Sequence, residues 1–166
     1  FRGPYGTFFR LPANLKSIAM VAGGYGMVPL SYLAQEARKK DVEVHLFMGA
    51  RNADELLFRS WMEKIGVVLH ISTDDGSEGY KGFNTDLFIE TIKPSHPEFI
   101  SGSSTGSSIK SGMTFDMVYT VGPEIMEMKV ANFCWEHNLQ FMISLERYMK
   151  CGMGICGQCC VDPTGW

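Results

Sequence analysis

The segment Ser17-Ile-Ala-Met-Val-Ala-Gly23-Gly24-Tyr25-Gly26-Met-Val-Pro29 decides the fold. Residues 17–22 are an apolar run of strand length that stops at glycines, the pattern of a strand buried on both faces of a parallel sheet. Leu30, Leu33, Ala34 and Ala37 then recur at helical spacing, and Arg38-Lys39-Lys40 close that helix with positive charge. Pro29 suits the first helical turn, where its missing N–H is no loss. Between strand and helix, Gly23, Gly24 and Gly26 leave room for an anion to reach the N–H groups of the helix N-terminus. The turn is not a full G-x-G-x-x-G, so a tight connection that holds no ligand stands beside the phosphate reading.

The same alternation continues outward. Residues 42–48 read as a second strand, 53–65 as a helix with Leu56, Leu57, Trp61 and Ile65 in the core, and 67–71 as a third strand. Residues 85–92 read as a short helix, 117–121 as a fourth strand and 141–143 as a fifth. Met126, Val130, Phe133 and Cys134 share one face of a helix over 123–136, with Cys134 a small buried hydrophobe. Strands alternating with helices predict an α/β fold with a doubly wound, five-stranded parallel sheet. Only 94–114 breaks the pattern; its Ser, Gly and Pro content reads as a flexible surface insertion.

Ligands of doubly wound sheets bind at the carboxyl ends of the strands. Two further turns lie there: Thr73-Asp74-Asp75-Gly76-Ser77 after the third strand and Val121-Gly122-Pro123 after the fourth. Asp74 and Asp75 are suited to bonding ribose hydroxyls, although a self-capped, solvated turn uses the same residues. No acid follows the second strand to read an adenine ribose. Arg51 stands there instead, which leaves NAD and NADP both open.

The chain ends in Cys151-Gly-Met-Gly-Ile-Cys156-Gly-Gln-Cys159-Cys160. Cys151, Cys156 and Cys159 have the C-x4-C-x2-C spacing that holds a 2Fe–2S cluster in plant-type ferredoxins. Glycines 152, 154 and 157 let the backbone fold back and donate N–H bonds to sulfur. A zinc site, a disulfide or plain buried thiols are the competing readings. Zinc knuckles usually pair two C-x2-C units or add histidines, and no histidine follows His137. A fourth ligand at the usual downstream distance is missing before Trp166. Cys160 substitutes poorly, because adjacent residues in an extended segment point opposite ways.

Length, charge and hydropathy narrow the function. A chain of 166 residues buries a real core as one ordinary domain. Net charge is −3 with no long basic run, which argues against nucleic acid. The apolar stretches are strand-length, too short to span a membrane. Five cysteines without a recognisable signal peptide fit a reducing cytoplasm, although the Phe1-Arg2 start suggests a fragment whose leader could have been removed.

Gly3-Pro4-Tyr5-Gly6-Thr-Phe8, Gly23-Gly24-Tyr25-Gly26, Thr73 to Ser77, Gly122-Pro123-Glu-Ile-Met126 and Ser144-Leu145-Glu146-Arg-Tyr-Met149-Lys-Cys151 through Cys159 occur in this order. Together they resemble the C-terminal two-thirds of the electron-transfer subunits of dihydroorotate dehydrogenase, archaeal type, in the ferredoxin–NADP reductase superfamily. The segment from Ser144 to Cys159 is the specific one, although Glu146 to Cys159 also occurs in related reductase modules; the glycine turns are shared across the superfamily. The resemblance implies a junction to an FAD-binding barrel over 1–12, an NAD-binding domain over 13–143 and a partial 2Fe–2S segment over 144–166. It implies NAD(H) at Gly23, Gly24, Gly26, Asp74, Asp75, Gly122, Pro123 and Glu146, with cluster ligation by Cys151, Cys156 and Cys159. Its cofactors are the 2Fe–2S cluster, NAD(H) and FAD, the last held mostly by a domain absent here. Its partner is a catalytic subunit that oxidises dihydroorotate, in a hetero-oligomer. Many superfamily members have cysteine before Gly-Pro where this chain has Val121, which weakens the expectation of direct hydride positioning. The reductase module of a hydrogenase, sulfite reductase or transhydrogenase is the alternative, and a non-enzymatic nucleotide- or zinc-binding module the third.

Overall fold

A computed structural model of the chain describes residues 8–92, 112–153 and 155–159. Within these, strands β1 (Ser17–Gly23), β2 (Glu43–Ala50), β3 (Val68–Thr73), β4 (Tyr80–Lys81), β5 (Met117–Val121) and β6 (Phe141–Ile143) form one sheet in the order β4-β3-β2-β1-β5-β6. Every neighbouring pair is parallel. Helices α1 (Met27–Arg38), α2 (Arg59–Lys64), α3 (Asn84–Ile92) and α4 (Glu124–Glu136) provide the crossovers. Leu30, Leu33, Ala34 and Ala37 of α1 and Met62 of α2 pack with Ile18, Met20 and Tyr119 on one face of the sheet. Leu87 and Phe88 of α3 and Val130, Phe133 and Cys134 of α4 pack with Ala19, Val21 and Phe47 on the other. Both faces are therefore covered, which is why the central strands are nearly continuous apolar runs rather than alternating ones. Each fully buried large side chain, such as Phe47 or Tyr119, contributes about 1.5–3 kcal/mol of transfer free energy.

The sheet has six strands where five were expected. The Thr73 hydroxyl donates to the Glu78 carbonyl at 2.8 Å and accepts from the Glu78 N–H at 3.0 Å. This cross-brace folds the turn back and lays Tyr80–Lys81 beside Ser72 and Thr73. A strand of two residues between Gly79 and Gly82 is too short to show periodicity in sequence.

The helix expected over 53–65 is also broken. Asn52 accepts the Asp54 and Glu55 N–H groups and caps a single 3₁₀ turn, Ala53–Glu55. Phe58 then adopts a left-handed backbone (φ 59°), and α2 starts only at Arg59. The break shifts the helical phase. Met62 is fully buried, while Trp61 is 36% exposed and Leu56, Leu57 and Ile65 are only partly buried.

Phe9 packs edge-on against Tyr119, and the Tyr119 hydroxyl donates to the Arg10 carbonyl at 2.5 Å, so the segment preceding β1 is tied to the sheet. Burial pushes the Cys134 thiol up to about 12, which fits its expected structural role. The Gly3-Pro4-Tyr5-Gly6 junction, most of the 94–114 insertion, Gly154 and Cys160 lie outside the described residues.

Candidate nucleotide cleft and cysteine loop

Chain order reverses between β1 and β5: from β1 the strands proceed outward to β2, β3 and β4, then return to β5 and β6. A cleft of about 690 Å³ opens at the carboxyl ends of these strands. Clefts at such a reversal point are where doubly wound sheets hold ligands. Gly26 packs directly on the end of β5; a Cβ there would lie 2.0 Å from the Val121 carbonyl oxygen. Gly24 has φ +52° and nothing within 4 Å of its Cβ position, so it faces open space. The two glycines thus let the turn approach β5 on one side and stay clear of side chains on the other.

Gly23, Gly24, Gly26, Asp74, Gly122, Pro123 and Glu146 all line this cleft. Asp75 does not. Its Oδ1 accepts from the Ser77 N–H at 2.9 Å and from the Ser77 hydroxyl at 2.7 Å, and these bonds hold its carboxyl below the usual carboxylate range. Sequence reasoning passed over Asn84, Phe83, Ile125 and Lys129, which also line the cleft. An asparagine at the start of a helix carries only a capping signal. Met126, read as helix core, forms part of the wall as well.

Beneath the wall, the Gly122 N–H donates to Glu127 Oε1 at 3.1 Å. Glu127 is 1% exposed. Burial pushes its carboxyl up to about 7; the Gly122 N–H and the Arg147 guanidinium oppose the shift, while Glu146 and Glu124 add to it. Arg147 pairs with Glu124 at 3.1 Å, which ties the segment leaving β6 to the first turn of α4.

That segment leads into the cysteines. Cys151 and Cys159 are half-buried and Cys156 is exposed. Gly152 and Gly157 have φ of 66° and 67°, left-handed values that keep the loop tight. The backbone N–H groups of Cys156, Met153 and Ile155 and the Cys156 side chain converge on the Cys151 sulfur and hold its thiol down to about 6. The Met153 N–H approaches it at 3.4 Å. Cys151 and Cys156 are thus brought together; Cys159 has no hydrogen-bond partner among the described residues. Among those residues no three His, Cys, Asp or Glu side chains converge to hold a metal ion. The donor chemistry nevertheless fits a cluster. Thiolate is the ligating form, and N–H groups aimed at sulfur stabilise it.

A parallel sheet with a glycine-lined cleft at its reversal point, and a cysteine loop running from the cleft wall, defines the nucleotide-binding module of a redox enzyme. The chain belongs to the family described as the oxidoreductase NAD-binding domain, matched over residues 20–132. Residues 146–166 match the iron–sulfur cluster binding domain of dihydroorotate dehydrogenase B. Two relatives are named probable dihydroorotate dehydrogenase B (NAD(+)), electron transfer subunit. The one from Methanocaldococcus jannaschii is 44% identical over 99% of this chain and 56% of its own length. The one from Methanothermobacter thermautotrophicus is 41% identical over 99% of this chain and 54% of its own. The chain thus spans about half the length of the curated relatives it matches. Among solved structures, an NADH-dependent reduced ferredoxin-NADP oxidoreductase superposes with a TM-score of 0.67 at 27% identity, over 88% of this chain and 46% of that one. The C-terminal domain of a hydrogenase from Pyrococcus furiosus shares the fold, with a TM-score of 0.59 at 13% identity over 86% of this chain and all of that one.

Proposed function

We propose that this chain is the nicotinamide-binding and iron–sulfur portion of an electron-transfer subunit serving a dihydroorotate dehydrogenase catalytic subunit in pyrimidine biosynthesis. The observation that carries the reading is the covalent continuity of its two sites. Glu146 lines the cleft and Cys151 follows five residues later (146 to 151), no more than about 18 Å of extended chain. In this reading the N–H groups of the Gly23–Gly26 turn hold the dinucleotide pyrophosphate, and Asp74 faces a ribose. Gly122 and Pro123 shape the wall on the β5 side, with Glu127 fixing the Gly122 N–H from below. Cys151, Cys156 and Cys159 hold a 2Fe–2S cluster, with a fourth ligand outside the described residues. When bound, that cluster supplies one-electron transfer between FAD, which takes electrons pairwise from NADH, and the partner. The Cys151 surroundings favour the thiolate before any metal arrives. Reduced thiols of this kind belong in the cytoplasm.

The test is the visible spectrum of the full-length protein, which should show flavin and 2Fe–2S bands together. Serine at any one of Cys151, Cys156 or Cys159 should abolish the iron–sulfur absorbance, whereas Cys134→Ala should leave it and the NADH-dependent reductase rate unchanged. A normal spectrum in all three serine variants overturns the ligand assignment.

A further inference from the structure

We propose that Asn84 reads the bound dinucleotide: its Oδ1 accepts a hydrogen bond from a ribose hydroxyl or from the carboxamide N–H. The inference rests on the nucleotide reading of the cleft. Asn84 opens α3 at the ends of β1 and β2, and is 5% exposed with its remaining surface on the cleft wall. Its Nδ2 donates to the Ala22 carbonyl at 2.8 Å and reaches the Phe47 carbonyl at 3.5 Å. Two carbonyl oxygens fix the orientation of the amide, since its own oxygen in that place would face two acceptors. Oδ1 is therefore turned away from both strands. Among the described residues, nothing donates to it. Nor is it sealed from the cleft: the buried, unpartnered side-chain oxygen among the described residues is Thr120 Oγ1. The position is built for this side chain. A Cβ at Gly49 would fall 2.8 Å from Asn84 Cγ, so the β2 backbone leaves room for the amide.

An immobilised acceptor with no donor of its own selects what enters. It favours an N–H or O–H on the ligand and disfavours phosphate oxygens, which are themselves acceptors. The pyrophosphate is thereby kept on the glycine turn, where the donors are. An open acceptor at the floor gains a neutral hydrogen bond when the right ligand part arrives, a gain of roughly five- to tenfold in affinity.

The test measures dissociation constants with the full-length protein. The ligands are NADH, its 3-acetylpyridine analogue, in which a methyl ketone replaces the carboxamide, and analogues with deoxyribose. Asn84→Val should bind NADH about five- to tenfold more weakly than the wild type. An analogue penalty that appears in the wild type and vanishes in Asn84→Val identifies the donor: the acetylpyridine compound reports the carboxamide, the deoxyribose compounds the ribose. Equal NADH affinity in wild type and variant overturns the role of Asn84 and leaves the nucleotide reading standing. A wild type that binds neither NADH nor NADPH overturns the nucleotide reading instead. Should Asn84→Val not fold, Asn84→Ala, which also removes the amide acceptor, takes its place. If no analogue binds the wild type more weakly than NADH does, the proposal also falls.

Discussion

Gly24 and Gly26 resist substitution for opposite reasons. Gly24 has a left-handed φ and empty space in front of it, so a side chain there is strained but enters the cleft rather than the protein. Gly24→Val should fold with a loss of about 1–2 kcal/mol. It should raise the KM for NADH at least about tenfold, the loss of more than one N–H bond to phosphate. Turnover with an artificial donor that bypasses the cleft should hold, and unchanged NADH kinetics would mean that the turn is only a connector. Gly26 has an ordinary helical φ (−57°), but its Cβ would collide with the Val121 carbonyl. Gly26→Ala should therefore act on stability, by about 1–3 kcal/mol, seen as a lower urea midpoint. Both glycines were visible in sequence as a turn, but which faces ligand and which faces β5 depends on register, which no local pattern encodes. The acceptor role of Asn84 was hidden for a related reason: the two carbonyls that orient it belong to residues 62 and 37 positions away.

The long elements were legible because their residues repeat a pattern. β1, β2 and β5 are largely apolar runs, interrupted inside by His45 of β2 and Thr120 of β5, and α1 and α4 keep a helical apolar face. β4 was not legible, because Thr73 and Glu78 create it by a turn rather than by a pattern. The seam between β2 and β3 carries a polar feature that periodicity also misses. His45 Nδ1 and His70 Nε2 lie 2.9 Å apart, His70 stacks on Phe47 at 4.3 Å, and Glu43 meets His45 Nε2 at 3.2 Å. Burial, with the His45 charge second, lowers His70 to about 4 from its ordinary 6.5. The folded state thus binds fewer protons than the unfolded one between those values, so stability rises with pH across that window. It is fully present above about pH 6.5 and is lost as pH falls toward about 4, by up to roughly 3 kcal/mol. Urea midpoints between pH 4 and 7 check this. His70→Gln should flatten the slope, and an unaltered slope would assign the acid sensitivity to other groups.

At the scale of the whole molecule, the cleft and the cysteine loop were legible as separate motifs, and the fold puts Glu146, five residues before Cys151, on the cleft wall. The loop's large side chains are turned outward: Met149, Met153 and Ile155 are 53%, 64% and 80% exposed, and Tyr148 joins them. Apolar exposure of this extent marks a contact surface more readily than a shield for the sulfurs. Met153→Glu in the full-length protein should weaken assembly with the catalytic subunit while leaving NADH oxidation by a small-molecule acceptor intact. Loss of the iron–sulfur absorbance with assembly preserved would give the methionine a shielding role instead. The borders of the sheet bear on assembly as well. Among the described residues, the outermost strands, β4 and β6, have two and three residues, against five to eight in β1, β2, β3 and β5. So few unpaired backbone groups make a poor template for another chain's strand, and edge-to-edge polymerisation is denied a foothold. These short edges leave side-chain surfaces, rather than added strands, as the ground on which another chain would meet the sheet.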